Sequence, residues 1–487
     1  MVVVVGAGAT GLGVAWDLSL RGLAVTVIEQ GDLAHGTSGR FHGLLHSGAR
    51  YAVRDPNAAR ECIQENRILR RIAAGSIEAV GGYFVKTPAS PDDYGEGWLS
   101  AMEATGIPVA RVSREVLRAA VPELHPDVEG GYWVPDGVIH GFPLLFRLQK
   151  AIEAHGGSVR RHTRLLQVEA GSDGVRRVRV GSASGAEWLG CDALVNAAGP
   201  WAGEVSRLFD DRLPMRLSRG VMIIFAERKL AHVVNRLAPP GDGDILVPHD
   251  RVTIWGTTDE PTESAAAKPP RPSETRKLLA LGRDLFPDME NWRALRAFCG
   301  VRPLYQPETA ADSRHVTRDF TVIDHARRGG PAGVVSVVGG KWVTFRLMAE
   351  KAGDVVTSYL GGGAPSLTAE TPLPPLREQA AERQREPWLC ECEQAGEWDL
   401  AAWPGATLGE WRTRTWFSMG PCQGTFCVHR VANRRLTTAN LAEVDAEEAA
   451  LRSEREQGMQ GALWGDNARE WALSQSVRRQ TLGERTP

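Results

Sequence analysis

Three groups of residues stand at spacings that chemistry could use. The first is the turn Gly6-Ala7-Gly8-Ala9-Thr10-Gly11, with Glu29 placed 18 residues beyond its last glycine. Glycines so placed let a backbone approach a pyrophosphate, and a carboxylate at the next strand end accepts from ribose hydroxyls. The second group is four cysteines, Cys390, Cys392, Cys422 and Cys427, in a 38-residue window read as C-x-C, a gap of 29 residues and C-x4-C. Four thiolates suit tetrahedral zinc or an iron–sulfur cluster. A C-x-C pair strains the usual zinc knuckle, and a dinuclear 2Fe–2S cluster tolerates it better. The cluster is therefore the favoured expectation, with zinc and unligated thiols as alternatives. Gly420 and Gly424 flank the first cysteine of the second pair and could bring backbone N–H groups to the sulfurs. The third group is cationic: Arg50 before Tyr51, Arg302 in GVRPL, Arg318 in TRDF and Lys341 after Gly339-Gly340. Singly, each reads as a surface or ion-paired cation. Together they would clamp a phosphate dianion with guanidinium forks and an ammonium point charge. His42, His46, His140 and His249 are candidate bases that spacing alone does not separate.

These residues need elements to hold them. Val2–Val5 reads as a short buried strand, the run to Gly22 as a helix, and Ala24–Ile28 as a second strand ending at Glu29. That is a βαβ unit opening on a glycine turn, the setting that makes the motif informative. Residues 31–51 mix Gly, Ser and His without period and read as an irregular loop. Ala193–Ala197 and Gly333–Val338 are strand-like and run into Gly199-Pro200-Trp201 and Gly339-Gly340-Lys341. Val178–Val180 alternates and Val221–Phe225 is apolar, which predicts further, antiparallel strands. The pattern predicts an α/β nucleotide domain with an inserted, mostly antiparallel domain. Residues 361–388 concentrate Gly, Pro and charge, as a linker does. A small cysteine module follows over 389–440, then a helical, charged tail over 441–487.

Composition narrows the class. At about 150 residues per domain, 487 residues suggest two to four domains. A chain of this length can bury roughly three-quarters of its surface, so its core needs no disulfides. Lys and Arg number 57 against 59 Asp and Glu, a balance that excludes a general nucleic-acid coat or a polybasic membrane binder. Val2–Val5 has no positive region before it and is stopped by Gly6, too short for a signal segment. No run of 18 apolar residues occurs, so no bilayer span is expected. One dinucleotide unit without a second strand–glycine–helix unit suits a flavoenzyme taking electrons from a small substrate, with NAD still open.

Taken together, these segments resemble a known family. Gly6–Gly11, GTSGRFHGLLHSGARYAV, VNAAGPW, ILVPHDRVTIWGTTD, GVRPL, TRDF and GGKWVTFRLMAE are similar to FAD-dependent glycerol-3-phosphate dehydrogenases. LCECE, GPCQGTFC and WGDNARE narrow the resemblance to the catalytic subunit of the anaerobic, quinone-linked type. The resemblance implies a FAD-binding Rossmann-like domain of the D-amino-acid-oxidase/glutathione-reductase type. Its FAD segments would fall at about 1–75, 145–210 and 320–360, within an oxidoreductase unit over 1–360. The cysteine module would be a bacterioferritin-associated-ferredoxin-like domain carrying a 2Fe–2S cluster.

Carried over residue by residue, the resemblance implies FAD on Gly6, Gly8, Ala9, Thr10, Gly11, Glu29 and Gln30. It adds Thr37, Ser38, Gly39, Arg40, His42, Gly43, Leu45, His46 and Ser47 from the loop. Val168, Ala198, Gly199, Trp201, Gly339, Gly340, Lys341 and Thr344 complete that set. Arg50, Tyr51, Arg302, Arg318 and Lys341 match substrate positions, with His46, Arg302 and Lys341 the expected catalytic group. The implied reaction takes a hydride from C2 of glycerol 3-phosphate. Electrons would pass through the cluster to electron-transfer and membrane-anchor subunits and on to quinone. The expected location is cytoplasmic, peripheral on the inner membrane face through those partners.

The chain departs from the family at Phe41 before His42, at Met222 where aerobic relatives carry a histidine, and in Pro135–Gly141, which lacks an acid near its end. Two other readings stay open. One is a flavin dehydrogenase for an amino or 2-hydroxy acid, which would need only one or two of the cations. The other is a non-catalytic, nucleotide-binding electron-transfer or zinc scaffold.

Overall fold

A computed structural model of the protein describes residues 1–171, 173–306, 319–376 and 387–482. A six-stranded sheet runs in the order Phe320–Asp324, Val334–Gly339, Ala193–Asn196, Val2–Val5, Val25–Ile28 and Ser158–Arg160. Its first pair is antiparallel and the others are parallel. Val2–Val5 is central and fully buried, so it can be apolar at every position. Strand period sorts its side chains between two layers. Val2 and Val4 face a core shared with helices Ala9–Leu20, Gly141–Ala154 and Phe345–Tyr359. Val3 and Val5 face Leu165, Val175, Val178 and Val180 of a three-stranded antiparallel sheet on the other side.

The second layer system is a nine-stranded, mostly antiparallel sheet built from chain that runs between strands of the first sheet. Its longest pairing sets Met215–Phe225 against Ala294–Tyr305, with Ser218 opposite Arg302 and Gly220 opposite Gly300. One parallel pair, Gly82–Lys86 beside Val233–Arg236, departs from the antiparallel pattern. The chain therefore folds as a mixed α/β protein with a Rossmann-like sheet.

The cysteine segment packs around its own core of Leu400, Leu408, Trp411, Phe417, Val428, Val431, Val444 and Leu451. Helix Leu441–Gln460 belongs to that core and also lies on strand Ala294–Tyr305. Residues 361–376, whose composition is that of a linker, lie along the nucleotide domain. Leu373 is 4% exposed, and the Arg147 guanidinium donates to the carbonyls of Leu373 and Pro374, both at 2.8 Å. Among the described residues no helix is long and apolar enough to cross a membrane.

Candidate active site

The glycine turn is built as a backbone cradle. Gly6 has φ +106, a left-handed value, and a Cβ there would stand 2.6 Å from the Ala197 carbonyl oxygen. A Cβ on Gly11 would stand 1.9 Å from the Gly6 carbonyl oxygen, so the turn closes onto the helix start only without side chains. The first helical amide, Ala9 N–H, donates to Ser38 Oγ at 2.9 Å. Glu29 is nearly buried, and its two carboxylate oxygens accept from Ala7 N–H at 2.9 Å and Gly31 N–H at 2.8 Å. This fixes the carboxylate at the strand end, with lone pairs remaining for ribose hydroxyls.

A cavity of about 300 Å³ opens along this cradle. Gly6, Gly8, Ala9, Thr10, Glu29, Gln30, Thr37, Ser38, Ala198, Gly199, Trp201, Gly339, Gly340 and Lys341 line it. Amides at a helix start, a closely approached backbone and an anchored acid fit a dinucleotide. Gly11, Gly43, Leu45, Ser47, Val168 and Thr344 stand behind the walls. Leu45 is a core residue paired with Gly137, and the Ser47 N–H donates to Asp136 at 2.7 Å. Gly43 abuts His249. The Thr344 hydroxyl turns back to the Lys341 backbone. From strand Arg164–Gly171 it is Arg164, Leu165 and Leu166, rather than Val168, that reach the cavity.

A second chamber, of about 710 Å³, shares Thr37 with the first. Arg40, His42, His46, Arg50, Tyr51, Arg54 and Arg302 line it, together with Phe41 and Met222. Arg302 is held from several directions: Nη1 donates to Ser218 Oγ at 3.3 Å and lies 3.7 Å from Asp259, while Nη2 donates to the Thr258 carbonyl at 3.0 Å and to Thr257. Arg50 pairs with Asp244 at 3.0 Å. The ammonium of Lys341 stands 4.7 Å from the centre of the Tyr51 ring. That ring is 5.4 Å from His46, which meets His42 edge-on at 5.6 Å. The acids of this chamber are already engaged: Asp55 caps helix Pro56–Ile72, and Asp242 takes Lys277 at 2.6 Å. Asp259 accepts from Ser218.

The structure thus brings His42, His46, Arg50, Tyr51, Arg302 and Lys341 together. Arg318 lies outside the described residues. His140 and His249 stand elsewhere, against each other and Trp416, with His140 on Glu78 at 2.7 Å. Burial, then His140, pushes His249 down to about 3. Sequence reasoning missed Asp136, Asp244 and Asp259, which orient the loop and the cations. Asp136 is almost fully buried between Ser47 and Asn235, and burial raises its carboxyl. Phe41, one of the departures, stacks on Trp342 at 4.9 Å, and the Trp342 ring N–H donates to the Ser38 carbonyl at 3.1 Å.

The four cysteines converge. The Cys427 thiol is hydrogen-bonded to both Cys390 and Cys422, and Cys392 contacts Cys422. The Cys427 thiol, then backbone N–H groups of Gly424 and Phe426, lowers Cys422, whereas Cys427 is raised. Gln423 and Gly424 both have left-handed φ, and the Gly424 and Phe426 amides face the Cys422 sulfur. Gly424 therefore supplies the amide its sequence position suggested. Among the described residues no group of three or more His, Cys, Asp or Glu that could hold a metal ion is found.

Comparison with known proteins agrees with this geometry. The family model described as FAD dependent oxidoreductase matches residues 1–346. The chain is 37% identical to an anaerobic glycerol-3-phosphate dehydrogenase subunit of Haloferax volcanii, over 99% of this chain and 90% of that protein. It is 36% identical to the corresponding subunit of Escherichia coli K12, over 96% and 94%. The glycerol-3-phosphate dehydrogenase from Bacillus halodurans, solved with FAD, superposes with a TM-score of 0.67 at 17% identity, covering 95% of this chain and 96% of that one. The chain belongs to the FAD-dependent oxidoreductase family and, within it, to the family of anaerobic glycerol-3-phosphate dehydrogenase subunits that the Haloferax and Escherichia relatives represent.

Proposed function

We propose that the protein oxidises sn-glycerol 3-phosphate to dihydroxyacetone phosphate. The observation that carries this reading is the shared wall at Thr37: a chamber lined by four arginines opens directly beside the dinucleotide cradle. Bound FAD supplies the two-electron acceptor that takes the hydride from C2. The chain's own residues do the rest. Arg302 and Arg50, with Lys341 and Arg318, bind the phosphate dianion, where forked and point-charge donors complement each other. An imidazole nitrogen of His46 takes the C2 hydroxyl proton as the carbonyl forms, held between His42 and Tyr51. Phe41 and Trp342 stack on each other beside the site. An amino- or hydroxy-acid substrate would need only one or two of these cations.

Cys390, Cys392, Cys422 and Cys427 would hold the 2Fe–2S cluster, which supplies a one-electron exit from a two-electron reaction. The inward amides of the second pair temper thiolate charge, which supports that reading. The relatives are named as single subunits of a larger enzyme, so the electrons are proposed to leave to partner subunits, one of them a membrane anchor, and then to quinone. An anaerobic visible spectrum tests the core of the proposal. Glycerol 3-phosphate should bleach the flavin band, and an unchanged spectrum would contradict it.

A further inference from the structure

A third cavity, of about 650 Å³, lies on the other side of the Gly39–Phe41 segment, bounded by the nine-stranded sheet, the 31–41 loop and the cysteine module with its following helix. Its size is that of a small-molecule site. Phe142, Phe298 and Trp416 give it aromatic walls. At one end stand three guanidiniums with a single carboxylate among them. Arg455 is 3% exposed; among the described residues its Nε and Nη2 have no hydrogen-bond partner, and its Nη1 reaches Gln423 only at a long 3.4 Å. Arg296 is 9% exposed, with an unpartnered Nε and its Nη2 3.8 Å from Glu454. Arg412 takes the same Glu454 at 2.8 Å and also leaves Nε without a partner.

A buried cation lacking a counter-charge is strongly disfavoured. Burial and then mutual repulsion accordingly press Arg455 well below its ordinary value, and burial presses Arg296 to about 10. Of the other acids lining the cavity, Asp32 and Glu410 are held by Arg414 and Arg161, while Asp250 and Glu393 stand near Arg251.

We infer that this cavity binds an organic anion, a phosphate- or carboxylate-bearing molecule with a flat apolar body, whose charge is met by Arg296, Arg412 and Arg455. The site shares the Arg40–Phe41 wall with the substrate chamber but has its own arginines, and it does not depend on the proposed reaction.

Calorimetric titration of the FAD-loaded full chain tests it, with 1-naphthyl phosphate, 1-naphthoate and neutral 1-naphthol as probes. One equivalent of an anionic probe should bind at least tenfold more tightly than 1-naphthol, and the better anion identifies the headgroup. Arg455→Met and Arg412→Gln should each weaken that binding at least tenfold, while Arg302→Ala should leave it unchanged. Arg455→Met should melt no lower than wild type, since it removes an unpaired charge. If it fails to fold, Arg412→Gln decides. Equal binding of 1-naphthol, or loss through Arg302→Ala alone, would overturn the inference. So would loss of binding in Cys422→Ser, which would assign the arginines to the cysteine module instead.

Discussion

Arg302 lies flat across the backbone of Gly220: a Cβ at Gly220 would stand 2.4 Å from Arg302 Nη2 and 2.8 Å from its guanidinium carbon. The two strands pair so that Ser218, opposite Arg302, takes one of its nitrogens. A methyl group at Gly220 would lever the guanidinium off Ser218 and the Thr258 carbonyl. Gly220→Ala should lower kcat/KM for glycerol 3-phosphate about tenfold, mostly through KM, with FAD content unchanged. Steady-state kinetics beside flavin absorbance checks this; an unchanged KM would mean that Arg302 does not touch substrate.

Flavin should be tight and non-covalent. Glu29 anchors two amides at once, and Glu29→Gln turns one acceptor oxygen into a donor facing an N–H, a loss of ~1–3 kcal/mol. Acid denaturation of the wild type should leave a yellow supernatant, and the variant should purify with less flavin per chain. Flavin that stays with the precipitate would contradict non-covalent binding.

Cys422 sits among its three partners and the inward amides. Cys422→Ser should abolish the paramagnetic signal of the reduced cluster while flavin remains. Metal analysis giving one zinc per wild-type chain would contradict the electron-relay reading.

His249 carries a pH dependence of stability. Burial holds its folded value at about 3 against an ordinary 6.5. Between those values the unfolded chain binds the extra proton, so this contribution is intact above pH 6.5 and is lost as pH falls below it. From pH 7.5 to about 5.5 the loss is about 1.4 kcal/mol. Urea unfolding at both pH values should show His249→Gln losing less than wild type by about that amount; equal losses would place the imidazole in solvent.

Local chemistry was legible in the chain, and long-range partnership was not. Val2–Val5, the turn after it and Glu29 lie within 29 residues, so spacing alone described that cradle. Arg50, Tyr51, Arg302 and Lys341 could be named as a group because phosphate needs several cations. Nothing local announces that Arg50 would meet Asp244, 194 residues away. Asp259 and Asp136 are likewise invisible until the strands pair. Of the stretch 361–388 expected as a linker, 377–386 lie outside the described residues, and over 361–376 composition is silent on packing for a physical reason. Gly and Pro report irregular backbone, and irregular backbone can still be pinned, as Arg147 does here by taking two successive carbonyls. The arginine-walled third cavity has no sequence signature, because it forms where three parts of the chain meet.

The most direct measurement is stopped-flow flavin bleaching under anaerobic conditions, with glycerol 3-phosphate, glycerol and a 2-hydroxy acid, in wild type and Arg302→Ala. Charge-assisted bonds to a buried dianion contribute ~1.5–3 kcal/mol each. Wild type should therefore bleach fast with glycerol 3-phosphate alone, and Arg302→Ala should lose about 10- to 150-fold in kcat/KM for it. Equal rates with the hydroxy acid, or an Arg302→Ala enzyme as fast as wild type, would contradict the assignment of this chamber to glycerol 3-phosphate.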